Sequence, residues 1–394
     1  MSRETAVPGL EKPGILARAR QWVGPQPLAQ GLACAGFLLL LVWLGQNTAQ
    51  TMARIGVTPG FDFLSRAANF AIGEGVIPFS PGDPYFRAIL VGLLNTLKVA
   101  VLGCVFATLL GVLFGVAGLS GNPLLRGIVR LYIEVVRNTP LLLQLFFWIA
   151  VAKAFPAPRQ AIGIFDVILL SNRGVFVPSA DPAALPLSAW LLGLVLVGAW
   201  VALMLVVRAR RWPLSVSIFA TLALLGALAL LPLLGGAGAF SMPELKGFNI
   251  RGGAALTPEF AALLVGLSVK FSAAIAEIVR AGIQSVNRGQ WEAARALGLG
   301  PGRIMRLVVL PQALRVITPL TTSSYLDLIK DSSLAVAIGY PDLVSVINTT
   351  ANTTGQSFEA LAILVGIYVV LNLFASLLMN IYNARVALRG GVAR

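Results

Sequence analysis

Residues 284–315 read QSVNRGQWEAARALGLGPGRIMRLVVLPQALR. Apolar runs near 259–283 and 311–335 flank this polar, basic stretch. Glu292 to Leu297 is built from strong helix formers. Gly298, Gly300, Pro301 and Gly302 then end that helix. A second helical pattern, Arg303 to Val309, leads into Pro311 at the start of the next apolar run. A helix of about two turns is not stable alone in water. It must pack on this chain's own rim or on a partner. Read from the residues alone, the stretch is either a plain helical hairpin joining two membrane spans or a docking element.

Outward from that loop, the chain of 394 residues is 57% apolar and only 12% charged, with mean hydropathy +0.84. A soluble domain carries about twice that share of charge. About eight apolar runs of roughly 18 or more residues are long enough to cross a bilayer. They lie near 28–46, 87–118, 128–153, 189–207, 214–234, 259–283, 311–335 and 358–383. The expected fold is all-α and polytopic. The second and third runs are long for one span and should tilt or extend past the membrane. The first starts late, lacks a clear cleavage site and is followed by more spans, unlike a signal peptide.

Basic residues sort by side. One set of segments holds Arg18, Arg20, Arg126, Arg130, Arg208, Arg210, Arg211, Arg288, Arg295, Arg303, Arg306, Arg385 and Arg389. With Arg3, Lys12, Arg137, Arg280, Arg315 and Arg394 these make 19, against 8 in the alternate segments, Arg54, Arg66, Arg87, Lys153, Arg159, Arg173, Lys246 and Arg251. An even number of spans with both termini in the cytoplasm explains the split, and the same bias accounts for the net charge of +14 without nucleic acid. The outer segments 47–86, 154–188 and 235–258 are rich in Gly, Pro, Asn, Asp or Ser and read as loops with short surface helices.

Several functions are excluded. There is no His, so the commonest general base and metal ligand are missing. Cys34 and Cys104 lie inside apolar runs, which argues against a disulfide framework or a zinc site. No Lys follows a Gly, so no G-K-[ST] phosphate loop is present. A G-x-S-x-G nucleophile motif is also missing. No catalytic residue, metal ligand or cofactor of the chain's own is expected. A transporter component, a channel or a scaffold remain.

At fixed spacing, Glu292-Ala293-Ala294, three residues, Gly298, nine residues, then Val308-x-Leu310-Pro311 resembles the EAA loop of ABC importer permeases. Val308 stands where that pattern has Ile. The surrounding Gly289, Gln290 and LPQALRVITP resemble the polar amino acid uptake branch. So do Arg137-Asn138-Thr139-Pro140 with Gln144, Asn95-Thr96-Leu97, and Lys330-Asp331-Ser332-Ser333-Leu334. The resemblance covers about 87–150 and 255–385. The first span and the helix pair 189–234 are extra to the minimal permease. With PELKGFNIRGG at 243–253 and Ile338-Gly339-Tyr340-Pro341-Asp342, they are similar to the long permeases of general L-amino-acid or glutamate/glutamine/aspartate/asparagine systems.

The resemblance implies a type I ABC importer permease core. Its parts would be a cytoplasmic segment 1–27, an extra span with a periplasmic segment 28–86, a permease domain 87–385 with the EAA loop 284–311, and a tail 386–394. It implies a bacterial inner membrane protein with no ATP site of its own. ATP and Mg would sit on a cytoplasmic ABC ATPase dimer, reached through Gly289, Gln290, Glu292, Ala293, Ala294, Gly298, Leu310 and Pro311. Glu292 would lie near a helix start, where the dipole favours a carboxylate, and Gly298 would permit a tight turn or a close backbone approach. A second, related permease chain, forming a heterodimer, and a periplasmic amino-acid-binding protein complete the implied partners, with the lipid bilayer around them.

Charges inside spans are costly and mark candidate sites. Lys270, Glu277 and Arg280 fall near one helical face, as do Asp327, Lys330 and Asp331. Lys270, Glu277, Asp327, Lys330 and Asp331, with Asn95, Gln144, Ser272, Ser332 and Ser333, form the candidate translocation path. Lys270, Asp327 and Asp331 depart from relatives of that branch, and Lys270 is expected to pair with an Asp of the next span. Glu134 and Arg137 should pair, and Pro140 should kink the helix beside them, at a candidate inner gate. The competing reading is an ion-coupled secondary amino acid transporter. It explains the charges but not the loop, and no inverted repeat is visible.

Overall fold

The computed structural model of the chain describes residues 27–54, 60–165, 167–180, 185–209, 220–221, 223–224, 226–228 and 240–388. The segment 1–26, the tail beyond 388 and most of the expected span 214–234 lie outside these. The helices are α1 (Pro27–Arg54), α2 (Tyr85–Ala117), α3 (Pro123–Asn138), α4 (Leu141–Lys153), α5 (Leu187–Ala209), α6 (Pro258–Gln284), α7 (Arg288–Ala296), α8 (Leu310–Asp331), α9 (Leu343–Thr354) and α10 (Ser357–Leu388). Among the described residues six helical stretches are long and apolar enough to cross a membrane.

The run expected as one span at 128–153 is instead two helices. α3 and α4 meet at 106°. Pro140 has no N–H, and it holds Thr139 in extended conformation at φ −93°, ψ 127°. α3 starts where Asn122 Oδ1 accepts the Leu124 N–H at 2.9 Å, with Pro123 in the first turn.

The core forms where α2 lies against α6. Ala100, Gly103, Ala107, Gly111 and Gly115 recur at intervals of three or four and are all buried in α2. This stripe of small residues lets the two backbones approach closely, the usual solution where lipid gives helices no hydrophobic drive to associate. A Cβ added at Gly111 would lie 2.7 Å from Ile275 Cβ, and one at Gly115 2.8 Å from the Ala276 carbonyl oxygen. α4 packs on the same helix through Leu141 and Leu145, and α8 through Ala313, Ile317 and Leu328. The described side chains of α1 are almost all exposed.

The expected loops with short helices are kept at Asp62–Ser65 and Pro158–Gln160, and the described parts of 154–188 and 235–258 add a small β layer. Strands β1 (Ile162–Ile164), β2 (Ile168–Ser171), β3 (Gly174–Val177) and β8 (Ala254–Leu256) form one antiparallel sheet in that order. β4 (Ser179–Ala180) pairs with β5 (Phe240–Ser241), and β6 (Glu244–Lys246) with β7 (Asn249–Arg251). The signal was present in short β-branched and aromatic runs punctuated by Asn172-Arg173-Gly174. Pairing of Val175 with Leu256 joins the chain before α5 to the chain just before α6.

Candidate functional site

The loop 284–311 folds as its composition dictates. Asn287 caps α7, its Oδ1 accepting the Gly289 N–H at 2.8 Å. α7 seats Ala294 in the core and leans Trp291 against it. Glu292, Ala293, Arg295 and Ala296 stay exposed, and Leu297 is 80% exposed. The Leu299 N–H reaches the Ala294 carbonyl at 3.2 Å, and the Gly298 N–H that of Arg295 at 2.9 Å. This is a Schellman stop, and it needs a left-handed residue. Gly298 supplies it with φ +72°, and no atom lies within 4 Å of where its Cβ would be. Gly298 therefore serves the turn, not a close approach.

Glu292 lies in the second turn of α7, which begins at Arg288. The helix dipole favours its carboxylate less there, since the effect fades beyond the first turn. Its carboxylate makes no ion pair among the described residues.

The second half of the loop is one helix with a π turn at Met305–Val309, where the Leu310 N–H bonds the Met305 carbonyl. Pro311 explains it. The ring would press on the Leu307 carbonyl in a regular helix, and the extra residue relieves that clash. Ile304 and Val309 anchor the segment in the core, while Leu310 and Pro311 reach the surface. Gln290 and Gln312 approach to 3.4 Å and tie α7 to α8.

The structure divides the candidate path residues into two groups. Asn95, Gln144, Ser272 and Ser332 are buried and bond groups of their own chain. The Asn95 amide donates to the carbonyls of Glu74 at 2.9 Å and Pro341 at 2.8 Å. Ser272 Oγ meets the Tyr132 hydroxyl at 2.7 Å, and Ser332 Oγ donates to the Ile329 carbonyl at 2.8 Å. Lys270, Glu277, Asp327, Lys330, Asp331 and Ser333 are partly or fully exposed.

Two expected pairings are corrected. Glu134 bonds Arg130 at 2.8 Å, one turn back, rather than Arg137. Lys270 does not bond Asp327, which lies 3.8 Å from Lys330 on its own helix. Lys270 Nζ donates instead to the carbonyls of Arg137 at 3.1 Å and Thr139 at 3.3 Å. Asp331 acts on it only through space. Glu277 does hold Arg280 along α6.

A polar cluster toward the outer side escaped the sequence reading. Glu74 bonds Lys98 at 2.6 Å and accepts the Thr257 hydroxyl proton. The Lys98 ammonium lies 3.9 Å from the Phe260 ring centre. Nearby Asp342 caps α9 through the Ser345 N–H at 2.9 Å, and burial pushes its carboxyl up to about 7. No sequence signal joins Glu74 to Lys98, because a loop brings them together. Lys98→Met alone should destabilise the protein by about 3–5 kcal/mol by stranding the carboxylate, and Lys98→Met with Glu74→Gln by clearly less. Thermal unfolding of both checks this.

Residues 107–388 match the family described as binding-protein-dependent transport system inner membrane component. Over 92% of its length the chain is 46% identical to the putative amino-acid ABC transporter permease protein YhdX of Escherichia coli K12, spanning 94% of that protein. It is 42% identical to the general L-amino acid transport system permease protein AapQ of Rhizobium johnstonii, with 88% of each chain covered. It is 37% identical to the glutamate/glutamine/aspartate/asparagine transport system permease protein BztB of Rhodobacter capsulatus, over 90% of this chain and 91% of that one.

Proposed function

The chain belongs to the family of inner membrane components of binding-protein-dependent transport systems and is a permease subunit of an ABC amino acid importer; on that premise we propose that 284–311 is its coupling element. The observation that carries this is α7 itself. It is a short helix fixed to the rim by Ala294 and Trp291, stopped at Gly298, and exposed along Glu292, Ala293, Arg295 and Leu297. So small a helix draws little stability from its own hydrogen bonds, and its free face suits docking on a cytoplasmic ATPase.

In this reading the ATPase dimer binds ATP and Mg, and this chain contributes no catalytic group. Gly289, Gln290, Glu292, Ala293, Ala294, Gly298, Leu310 and Pro311 form or position the docking face. A related permease chain completes the translocation path as a heterodimer. A periplasmic amino-acid-binding protein delivers substrate to the outer face, and both termini lie in the cytoplasm of a bacterial inner membrane protein. The ion-coupled alternative has no support in the relatives.

The test is a mild-detergent pull-down of the tagged chain from its own membranes after cross-linking, with mass spectrometry. A phosphate-loop ATPase and a second permease should co-purify. A lone chain or a homodimer without ATPase would sink the proposal.

A further inference from the structure

The break between α3 and α4 leaves backbone carbonyls without helical partners. α3 ends at Asn138, so its last carbonyls find no N–H one turn on, and Pro140 has none to give. Lipid offers no donor either, and an unsatisfied carbonyl there is costly. Two side chains from later in the sequence meet these groups. The Gln144 amide donates to the carbonyls of Val136 and Thr139, both at 3.0 Å. Lys270 Nζ donates to those of Arg137 at 3.1 Å and Thr139 at 3.3 Å.

Position makes this arrangement unusual. Lys270 lies near the middle of α6, roughly 18 Å along the helix from Pro258 and roughly 21 Å from Gln284. An ammonium therefore sits on a carbonyl cluster about halfway along a helix long and apolar enough to cross a membrane. A helix C-terminus carries partial negative charge, and half-helix ends with free carbonyls are the places where transporters hold cations. Gln144 is buried, and among the described residues its Oε1 has no hydrogen-bond partner. Among the described residues no carboxylate forms an ion pair with Lys270, and the carbonyls are its direct partners.

We propose that the α3–α4 break is a primary-ammonium site on the translocation path, and that Lys270 is its tethered occupant. The chain supplies from its own side chain the group an amino acid would otherwise bring. A substrate ammonium enters only as Lys270 withdraws from these carbonyls. Lys270 is a positioning and specificity residue in this account. The inference rests on the importer reading for its path, but its ammonium chemistry is tested without ATP hydrolysis.

The experiment compares wild type and Lys270→Ala in the intact importer in lipid nanodiscs. The probes are n-propylammonium and the neutral, nearly isosteric n-propanol. Lys270→Ala should unfold at lower temperature, and propylammonium should saturably restore it where propanol does not. Uptake by the variant in proteoliposomes should fall about tenfold, equivalent to one charge-assisted hydrogen bond. Propylammonium should also raise the KM for amino acid in the variant and not in wild type.

That competition is what a purely structural cap would not produce. Restored stability without competition, equal restoration by propanol, or no restoration overturns the proposal. If Lys270→Ala does not assemble, Lys270→Ser vacates similar volume and is read the same way. Assembly of Lys270→Arg alone would assign a structural cap and also overturn it. Loss of the importer reading would abolish uptake yet leave the propylammonium shift intact, so the two failures are distinguishable.

Discussion

Gly298→Val is expected to abolish amino acid uptake while the chain still inserts and assembles its membrane core. Gly298 sits at φ +72° in the stop that ends α7. A side chain there meets no atom within 4 Å, so the penalty is conformational. Left-handed backbone costs an L-residue about 1–2 kcal/mol, and a β-branched one more. In the deep core that would be survivable. α7 has only nine residues, and among its side chains only Ala294 is fully buried. A loss of about 1–2 kcal/mol shifts its folded fraction by a factor of about 5–30. Uptake and substrate-stimulated ATP hydrolysis in proteoliposomes would both fall, with membrane abundance unchanged. Normal coupling in Gly298→Val would contradict the role given to the turn.

Gly115→Leu is expected to remove the protein from the membrane fraction altogether. The Cβ alone would come 2.8 Å from the Ala276 carbonyl oxygen and 2.8 Å from Val279 Cβ. Neither can yield, since the first is backbone and the second is a branched carbon on a packed helix. α2 and α6 would have to separate along the stripe from Ala100 to Gly115. Overpacking in an ordinary core costs about 1–3 kcal/mol, and splitting the central helix pair costs more. Gly127→Leu is the control. Gly127 is exposed on α3 and has nothing within 4 Å, so its variant should accumulate normally. Immunoblots and protease resistance of membranes read both. Equal abundance of the two variants would show that α2–α6 packing is not the core.

Features set by local chemistry were legible in the sequence. The α7 helix and its Gly298 stop follow from helix formers and a left-handed glycine. The bend at Pro140 follows from a missing N–H, although the sequence does not say that it opens to 106°. Long apolar runs located the six helices that are long and apolar enough to cross a membrane among the described residues, and the relatives bear out the permease reading. The β layer was legible in principle in Val175-Phe176-Val177, but surrounding Gly, Pro and Ser suggested loops.

The charged residues misled because their partners are set by tertiary approach. Spacing along α8 placed Asp327 within range of Lys330, and that pair formed. Nothing in the spacing could send Lys270 to the carbonyls of Arg137 and Thr139, more than a hundred residues earlier, or Lys98 to Glu74. Asn95, Gln144 and Ser272 were read as path residues because polar groups in spans suggest function. In the fold they satisfy backbone and hydroxyl groups that lipid cannot.

The most direct measurement is site-specific cross-linking from α7 in native membranes. Ala293→Cys is built with Cys34 and Cys104 replaced, and Asn172→Cys on the outer β turn is the control. A short bifunctional maleimide should join position 293 to a phosphate-loop ATPase, with a yield that changes when ATP is added, and should give no such adduct at 172. No ATPase adduct at 293, or equal adducts at both positions, would contradict the coupling role of this loop.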